Sequence, residues 1–212
     1  MAPAGKPREE GNVVRPLAFQ PDDAGLVAAV RRGDEAARRL LFDRHAHHVT
    51  RVLARLLGAD GELADLVNDV FMMALRDIDR LREPAALKAW LTALTVHLAR
   101  GHIRHKARRR WLRFVAPSDL PDVPAATADG DVRDATRRMY RALDTLPEDE
   151  RIAFALRFID GMELTDVAEA CDVSLATIKR KLDRAEAAFV ARARKDVVHT
   201  SWLEGGARWG TL

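Results

Sequence analysis

Long apolar runs and cysteine pairs are both missing from this 212-residue chain. No stretch approaches the roughly twenty consecutive apolar residues that cross a bilayer, and the first residues lack the apolar segment of a signal peptide. Cys171 is the only cysteine, which excludes an internal disulfide and fits a reducing compartment. These absences predict a cytoplasmic protein in which Cys171 packs in a core and is not a reactive thiol.

Signatures of catalysis and of metal binding are missing as well. The chain has no glycine-rich phosphate loop and no nucleophile motif. Its histidines form two clusters, and neither has the i, i+4 pair beside a carboxylate that helical zinc sites use. The clusters are His45, His47 and His48, and His97, His102 and His105. We therefore expect no metal, no cofactor and no enzymatic activity, and we interpret the histidines as solvated or phosphate-facing.

Aromatic residues make up only 6% of the chain and no internal repeat is present, which disfavours propellers and solenoids. The rest of the composition, 48% hydrophobic and 32% charged, is that of an ordinary globular protein that can bury one good core or two small ones. The net charge of +3 is only mildly basic. The placement of the charges must therefore decide whether nucleic acid is a partner.

The basic residues are concentrated in one segment, from Arg100 to Arg113. No acidic residue occurs between Glu83 and Asp119. A long run of one sign repels itself and is typical either of a solvated arm or of a phosphate-binding surface. Because Trp111 and Phe114 are interleaved with the arginines, we favour binding to nucleic acid.

Apolar residues recur every three or four positions from Leu26 onward, which predicts helices and an all-α fold. Asp34 is placed to cap a long helix that stops at Gly58. A second helix is predicted from Leu63 to Ile78, with polar residues on the side opposite its apolar stripe, and Pro84 opens a third. The three apolar faces predict a helical bundle.

Composition divides the chain into two helical domains and three other segments. Prolines with mixed charge predict a mobile arm over residues 1–21, and prolines with small and acidic residues predict a flexible linker over 115–131. The two domains are then residues 22–114 and 132–196. The final segment, 197–212, carries tryptophans among glycines, and it either packs back on a domain or binds a regulator.

The segment from Leu164 to Glu186 has the order of charges expected of a DNA-reading helix-turn-helix. A short helix with acidic outer faces is followed by a break at Asp172, a residue type that tolerates a left-handed backbone. Ser174 is a good N-cap for the second helix. The exposed arc of that helix carries Lys179, Arg180, Lys181 and Arg184. An ordinary helical hairpin with a charged face is the alternative.

The order and spacing of several motifs resemble those of the bacterial RNA polymerase sigma factors of the extracytoplasmic-function (ECF) type. The segment DLVNDVF, from Asp65 to Phe71, is similar to the family's DLVQEVF stretch, and Trp90 and Leu91 begin a helix that runs into arginines, as in the family. The second domain is similar to the family pattern LP…R…L…G…EIA…VS…TVK…L…RA over residues 146–185. The resemblance covers about residues 22–190.

The resemblance implies a transcription initiation subunit whose partners are core RNA polymerase and promoter DNA, with an anti-sigma factor as a candidate regulator. Its polymerase-binding residues are Asp65, Asn68, Asp69, Phe71 and Met72, with plain core packing an equal alternative for Phe71. Its downstream promoter-binding and melting residues are Arg80, Lys88, His97, Arg100, Arg104 and Arg108. Its upstream promoter-binding residues are Ser174, Thr177, Lys179, Arg180, Lys181 and Arg184.

A second hypothesis is a transcriptional regulator that uses the helix-turn-helix without polymerase. Such regulators usually carry a sensing or dimerising domain, whereas the first domain here has a polar face and an arginine-rich end. That difference favours the sigma factor. The chain departs from the family pattern at His97 and Gly101, where Asn and Asp are frequent, and this concerns the melting surface.

Overall fold

The computed structural model describes residues 22–113 and 130–195, with side chains described over 22–109 and 135–192. Within these ranges all regular structure is helical, so the predicted all-α fold is confirmed. The predicted arm, nearly all of the predicted linker and the final segment lie outside the described residues. None of the helices described is long and apolar enough to span a membrane.

The first group of helices contains α1 to α4. Their bounds are α1 Asp23–Arg31, α2 Glu35–Leu57, α3 Leu63–Asp77 and α4 Leu87–Arg113. The carboxylate of Asp34 accepts hydrogen bonds from the amides of Ala36 and Ala37, which confirms the predicted N-cap of α2. The same helix ends at Gly58 as predicted, with φ +76°. Pro84 opens a short 3₁₀ turn, and α4 begins three residues later.

The second group contains α5 to α8. Their bounds are α5 Gly130–Leu143, α6 Glu148–Phe154, α7 Leu164–Ala170 and α8 Leu175–Lys195. After α6 the backbone widens into a π turn over Ala155–Ile159, and Gly161 follows with φ +79°. Asp172 adopts the left-handed conformation expected of the break, with φ +54°.

The apolar stripes of α2, α3 and α4 pack against one another, as the sequence predicts for a bundle. The buried cluster does not stop at the boundary of the first group. Leu56 and Leu91 belong to the same continuous cluster as Ile152 and Val167 of the second group. Helix α4 contacts both α6 and α7, and α2 contacts the π turn. The two groups therefore dock face to face, and we call this contact the seam.

Hydrogen bonds connect the two groups across the seam. The Tyr140 hydroxyl donates to the carbonyl oxygens of Ala54 and Arg55, at 3.0 and 3.2 Å. The Arg151 guanidinium donates to the Leu56 carbonyl through Nε and Nη2, at 3.3 and 3.0 Å. These carbonyls lie in the last turn of α2, where helix geometry leaves carbonyl groups short of partners, although Ala54 also accepts from the Gly58 amide at 2.9 Å. Side chains of the second group thus cap the C-terminal end of a helix in the first.

Candidate nucleic-acid and protein interfaces

Helix α8 begins with a side-chain cap. The Thr177 amide donates to Ser174 Oγ at 3.2 Å, and the two hydroxyl oxygens lie 2.9 Å apart. The predicted N-cap is therefore present, and both hydroxyls already have a local partner. A guanidinium nitrogen of Arg180 also lies 3.4 Å from the Thr177 hydroxyl. This arrangement leaves the Thr177 methyl group as the part of that side chain best suited to an apolar contact.

The four cations of α8 have different surroundings. Lys179 and Arg180 are exposed. Lys181 is largely covered and its Nζ lies 2.7 Å from an oxygen of Asp149. Arg184 lies 3.8 Å from Glu150, a looser contact. Only part of the predicted basic arc is therefore open to solvent.

Leu175 is a further surface feature of α8, and no pattern in the sequence indicates it. It is 40% exposed at the first position of α8, beside the capping serine. An exposed leucine is common on protein surfaces, so exposure alone indicates little. Its position at the start of a basic helix is more informative, because the first residues of recognition helices contact base edges.

Helix α7 supports α8 from behind. Val167 and Ala168 are buried, and Glu163 stands at the N-cap without a side-chain bond, as expected of a poor capping residue. Cys171 is buried as predicted, and burial raises the pKa of its thiol to about 11. The thiol is therefore neutral at physiological pH and packs as a small apolar group.

Helix α3 presents the predicted polar residues on its outer side. Asp65, Asn68 and Asp69 are all exposed, and Met72 beside them is 66% exposed. Phe71 points the other way: it is 5% exposed, and its ring centroid lies 4.7 Å from that of Phe42. Phe71 therefore packs in the core, which was the alternative to polymerase binding for this residue. The exposed row on α3 consists of Asp65, Asn68, Asp69 and Met72.

The predicted downstream residues spread along α4 and the turn before it. Arg80, Lys88, His97 and Arg108 are exposed. Arg100 is mostly covered, with Nε 3.0 Å from a carboxylate oxygen of Asp149, and Arg104 Nη1 lies 3.1 Å from Glu148. Arg100 and Arg104 thus meet acids of the second group, and the side chain of Arg104 is still 60% exposed.

Acids from distant parts of the chain also reach the basic run. Asp60, in the loop after α2, lies 2.9 Å from His102 Nε2 and 3.0 Å from Lys106 Nζ. Burial alone would raise the pKa of this carboxyl, but hydrogen bonds from the Glu62 amide and from these two side chains lower it to about 2. The positive charge of the segment from Arg100 to Arg113 is thus partly neutralised by acids that the fold brings near it.

The histidine clusters hold no metal-binding arrangement in the described part of the chain. His48 Nε2 instead lies 2.8 Å from the Thr92 hydroxyl, close to the seam. Burial, reinforced by the charges of Lys88 and Arg51, lowers the pKa of His48 to about 4. His48 is therefore neutral at pH 7 and belongs to the packing between helices.

Two family models match this chain in separate segments. Sigma-70 region 2 matches residues 41–109, and Sigma-70, region 4 matches residues 136–189. The ECF RNA polymerase sigma-E factor of Escherichia coli (strain K12) is 28% identical over 182 residues, covering 82% of this chain and 95% of that protein. The protein of the same description from Haemophilus influenzae is 28% identical over 178 residues, covering 80% of this chain and 94% of its own.

Two solved structures share the fold. CnrH, in complex with the cytosolic domain of CnrY, has a TM-score of 0.56 and 21% identity, covering 82% of this chain and 98% of that one. The sigma factor RpoE of Bartonella quintana, in complex with the anti-sigma factor NepR, has a TM-score of 0.53 and 23% identity, covering 72% and 94%. One family model falls within the first group of helices, and the other falls within the second.

Proposed function

Because this chain belongs to the sigma-70 family and is a sigma factor of the ECF type, we propose that its two helical groups divide promoter recognition between them. The protein binds core RNA polymerase and directs it to promoters, where it takes part in DNA opening. The main support for this division is the position of two exposed surfaces. A polar row with one methionine lies on α3 in the first group, and the capped basic helix α8 lies in the second group.

The α3 row is proposed as the contact with core polymerase. Asp65, Asn68 and Asp69 supply polar contacts, and Met72 supplies a flexible apolar anchor among them. An apolar centre with a polar surround is the usual anatomy of a protein interface. Phe71 supports this surface from below through its packing against Phe42.

The turn before α4 and the exposed side of that helix are proposed as the surface for the opened downstream element. Single-stranded DNA is held by cations that follow its backbone and by side chains on which its bases stack. Arg80, Lys88, His97 and Arg108 are exposed for this purpose. Arg100 and Arg104 join them once their acidic partners have moved away.

Helix α8 is proposed as the reader of the upstream element. A recognition helix enters the major groove with its first residues toward the bases. Lys179 and Arg180 are exposed and long enough to reach guanine edges or phosphates, while Leu175 and the Thr177 methyl offer apolar contacts to thymine. Ser174 caps the helix, and Lys181 and Arg184 face the phosphate backbone.

We propose a non-enzymatic role in the cytoplasm, where polymerase and chromosomal DNA are found, with no cofactor. An anti-sigma protein is proposed as a regulator, since the RpoE structure contains an anti-sigma factor, NepR. Binding of such a protein is expected to prevent association with core polymerase. Co-expression of the full chain with the product of its neighbouring gene, followed by a polymerase competition assay, checks this.

Reconstitution tests the proposed function. The full chain and core RNA polymerase are incubated on the DNA upstream of the chain's own gene, and run-off transcripts are mapped. A discrete start site that requires this protein supports the proposal. A regulator that acts without polymerase would bind the same DNA but would not co-purify with core enzyme, and that result would reject the sigma assignment in favour of the regulator.

A further inference from the structure

We infer that the first turn of α6, Glu148–Asp149–Glu150, acts as an internal substitute for DNA phosphates and, in the free protein, masks two cations of the downstream DNA surface, Arg100 and Arg104. The inference rests on the proposed function, because the cations that this acidic turn holds are residues assigned there to promoter DNA. The acidic turn and the DNA backbone compete for the same guanidinium and ammonium groups.

The contacts of the acidic turn reach across the seam to α4. Glu148 Oε1 accepts from Arg104 Nη1 at 3.1 Å, and Asp149 Oδ1 lies 3.0 Å from Arg100 Nε. A carboxylate and a DNA phosphate each carry one negative charge, and each can accept hydrogen bonds from the guanidinium group of arginine. While α6 occupies this position, a phosphate must displace a carboxylate to reach the same guanidinium nitrogens.

The same turn also holds the cations of α8. Asp149 Oδ2 lies 2.7 Å from Lys181 Nζ, and Glu150 lies 3.8 Å from Arg184. The Lys181 and Arg100 charges, with the hydrogen bond from Lys181 first among these effects, lower the pKa of Asp149. One helical turn therefore meets cations assigned to both promoter elements.

The contact between Arg100 and Asp149 is short but poorly aligned for a hydrogen bond. Arg100 Nε is buried, and among the described residues it has no hydrogen-bond partner of good geometry, although the Asp149 oxygen is near. A buried donor without a bond costs free energy. A phosphate that accepts this N–H would remove the cost. DNA would then make a hydrogen bond that the acidic turn does not make.

Acids in the first turn of a helix also favour the helix dipole, and this is the simpler explanation of the acidic turn. The chain provides a control that separates the two roles. Glu148 and Glu150 lie in the same turn of the same helix, but the first pairs with α4 across the seam, and the second pairs with α8 within its own group. Changing either to glutamine removes one charge from the same helix end.

The experiment uses the free full chain, without polymerase, and compares Glu148→Gln with Glu150→Gln. The first readout is affinity for a fluorescent single-stranded oligonucleotide. The second is the labelling rate of Cys171 by a thiol reagent, since this buried thiol follows α7, which packs on α4. Circular dichroism confirms that both variants retain their helix content.

We expect Glu148→Gln to bind the oligonucleotide more tightly and to label faster than Glu150→Gln, which should behave like the unmodified protein. The double variant Glu148→Gln/Asp149→Asn should gain about five-fold or more in affinity, the size of a modest coupling between sites. Equal behaviour of the two glutamine variants overturns the inference, as does faster labelling without tighter binding. If no form binds the oligonucleotide, the proposed downstream DNA surface is rejected together with the masking. If all forms bind it equally, only the masking is rejected.

Discussion

Gly58 and Tyr140 are in direct contact across the seam: a Cβ atom added to Gly58 would lie 2.9 Å from Cγ of the tyrosine ring. The hydroxyl of the same ring donates to the Ala54 carbonyl, at 3.0 Å. Gly58 is therefore required twice, for its positive φ and for the close approach of the ring. The end of α2 and the docking of the second group depend on one residue.

Replacing Gly58 with alanine is expected to destabilise the protein more than the same change at Gly161. Both glycines have positive φ, +76° and +79°, but a Cβ at Gly161 meets nothing within 4 Å. Gly161→Ala should lose about 1–2 kcal/mol of unfolding free energy through backbone strain, and Gly58→Ala about 1–3 kcal/mol more through overpacking. Urea unfolding measures both. The difference should shrink in a Tyr140→Ala background, because part of it is the backbone strain of Gly58 at ψ −149°, and an undiminished difference there would contradict the contact.

Arg151 is expected to be the most sensitive charged residue of the seam. It is buried, it donates twice to the Leu56 carbonyl, and it pairs with Asp144. Arg151→Met leaves that carbonyl without its donor, which should lower the free energy of unfolding by about 1–3 kcal/mol. The exposed Arg141 provides the matched control, and Arg141→Met should be nearly neutral. Similar losses from the two changes would show that the capping contact contributes little.

Asp69→Asn and Met72→Ala are expected to weaken binding to core polymerase. Truncating an exposed anchor at the centre of an interface typically costs about 1–2 kcal/mol or more, so Met72→Ala should reduce affinity on the order of ten-fold. Duplex DNA binding by the full chain should stay unchanged. Glu35→Gln removes an exposed acid from the same group and serves as the charge control. Titration of labelled core enzyme distinguishes them, and an equal effect of Glu35→Gln would point to net charge alone.

Leu175 is expected to sense thymine methyl groups in the upstream element. Replacing each thymine by deoxyuridine in turn removes one methyl, worth about 1 kcal/mol when it is buried against an apolar side chain. Wild-type protein should lose affinity at one or two positions, and Leu175→Ala should not. Lys179→Ala should lose about 1–3 kcal/mol if it reads a base and should still sense the methyl. Undiminished methyl sensitivity in Leu175→Ala would assign the contact to another residue.

Acidification is expected to destabilise the fold through His48. Burial and the Lys88 and Arg51 charges place its folded pKa at about 4, below the unfolded value of 6.5, while Asp160 opposes this and His45 adds to it. Stability from neutral His48 is therefore complete above pH 6.5 and is lost as the pH falls toward 4. The thermal midpoint should fall across this window, and less steeply in His48→Gln. Identical pH profiles would show that other groups account for the loss.

Local features of the fold were predictable because their causes lie within a few residues. The Asp34 cap, the left-handed Asp172 and the Ser174 cap all depend on a side chain and the backbone next to it. The apolar periodicity similarly located α2, α3 and α4. The π turn at Ala155–Ile159 was not predicted, since no local pattern distinguishes it from the α-helix before it.

The residue types of the candidate surfaces could also be predicted, but their availability could not. The sequence pointed to Arg100 and Arg104 as cations in a run without acids, and the fold supplies those acids from Asp149 and Glu148. Phe71 matched a binding motif, yet its side chain turns inward against Phe42. Leu175 was missed because only the exposed position in the folded chain makes it informative.

By itself the amino-acid sequence determined the helices, their caps, the two groups and the charge of each candidate surface, since periodicity and capping act over one or two turns. Only the tertiary structure decided that the groups dock and that the acidic turn reaches α4. Arg104 and Glu148 are 44 residues apart, and Arg151 and Leu56 are 95 apart. Pairings at such separations depend on how the apolar faces pack, and no local pattern in the chain records that choice.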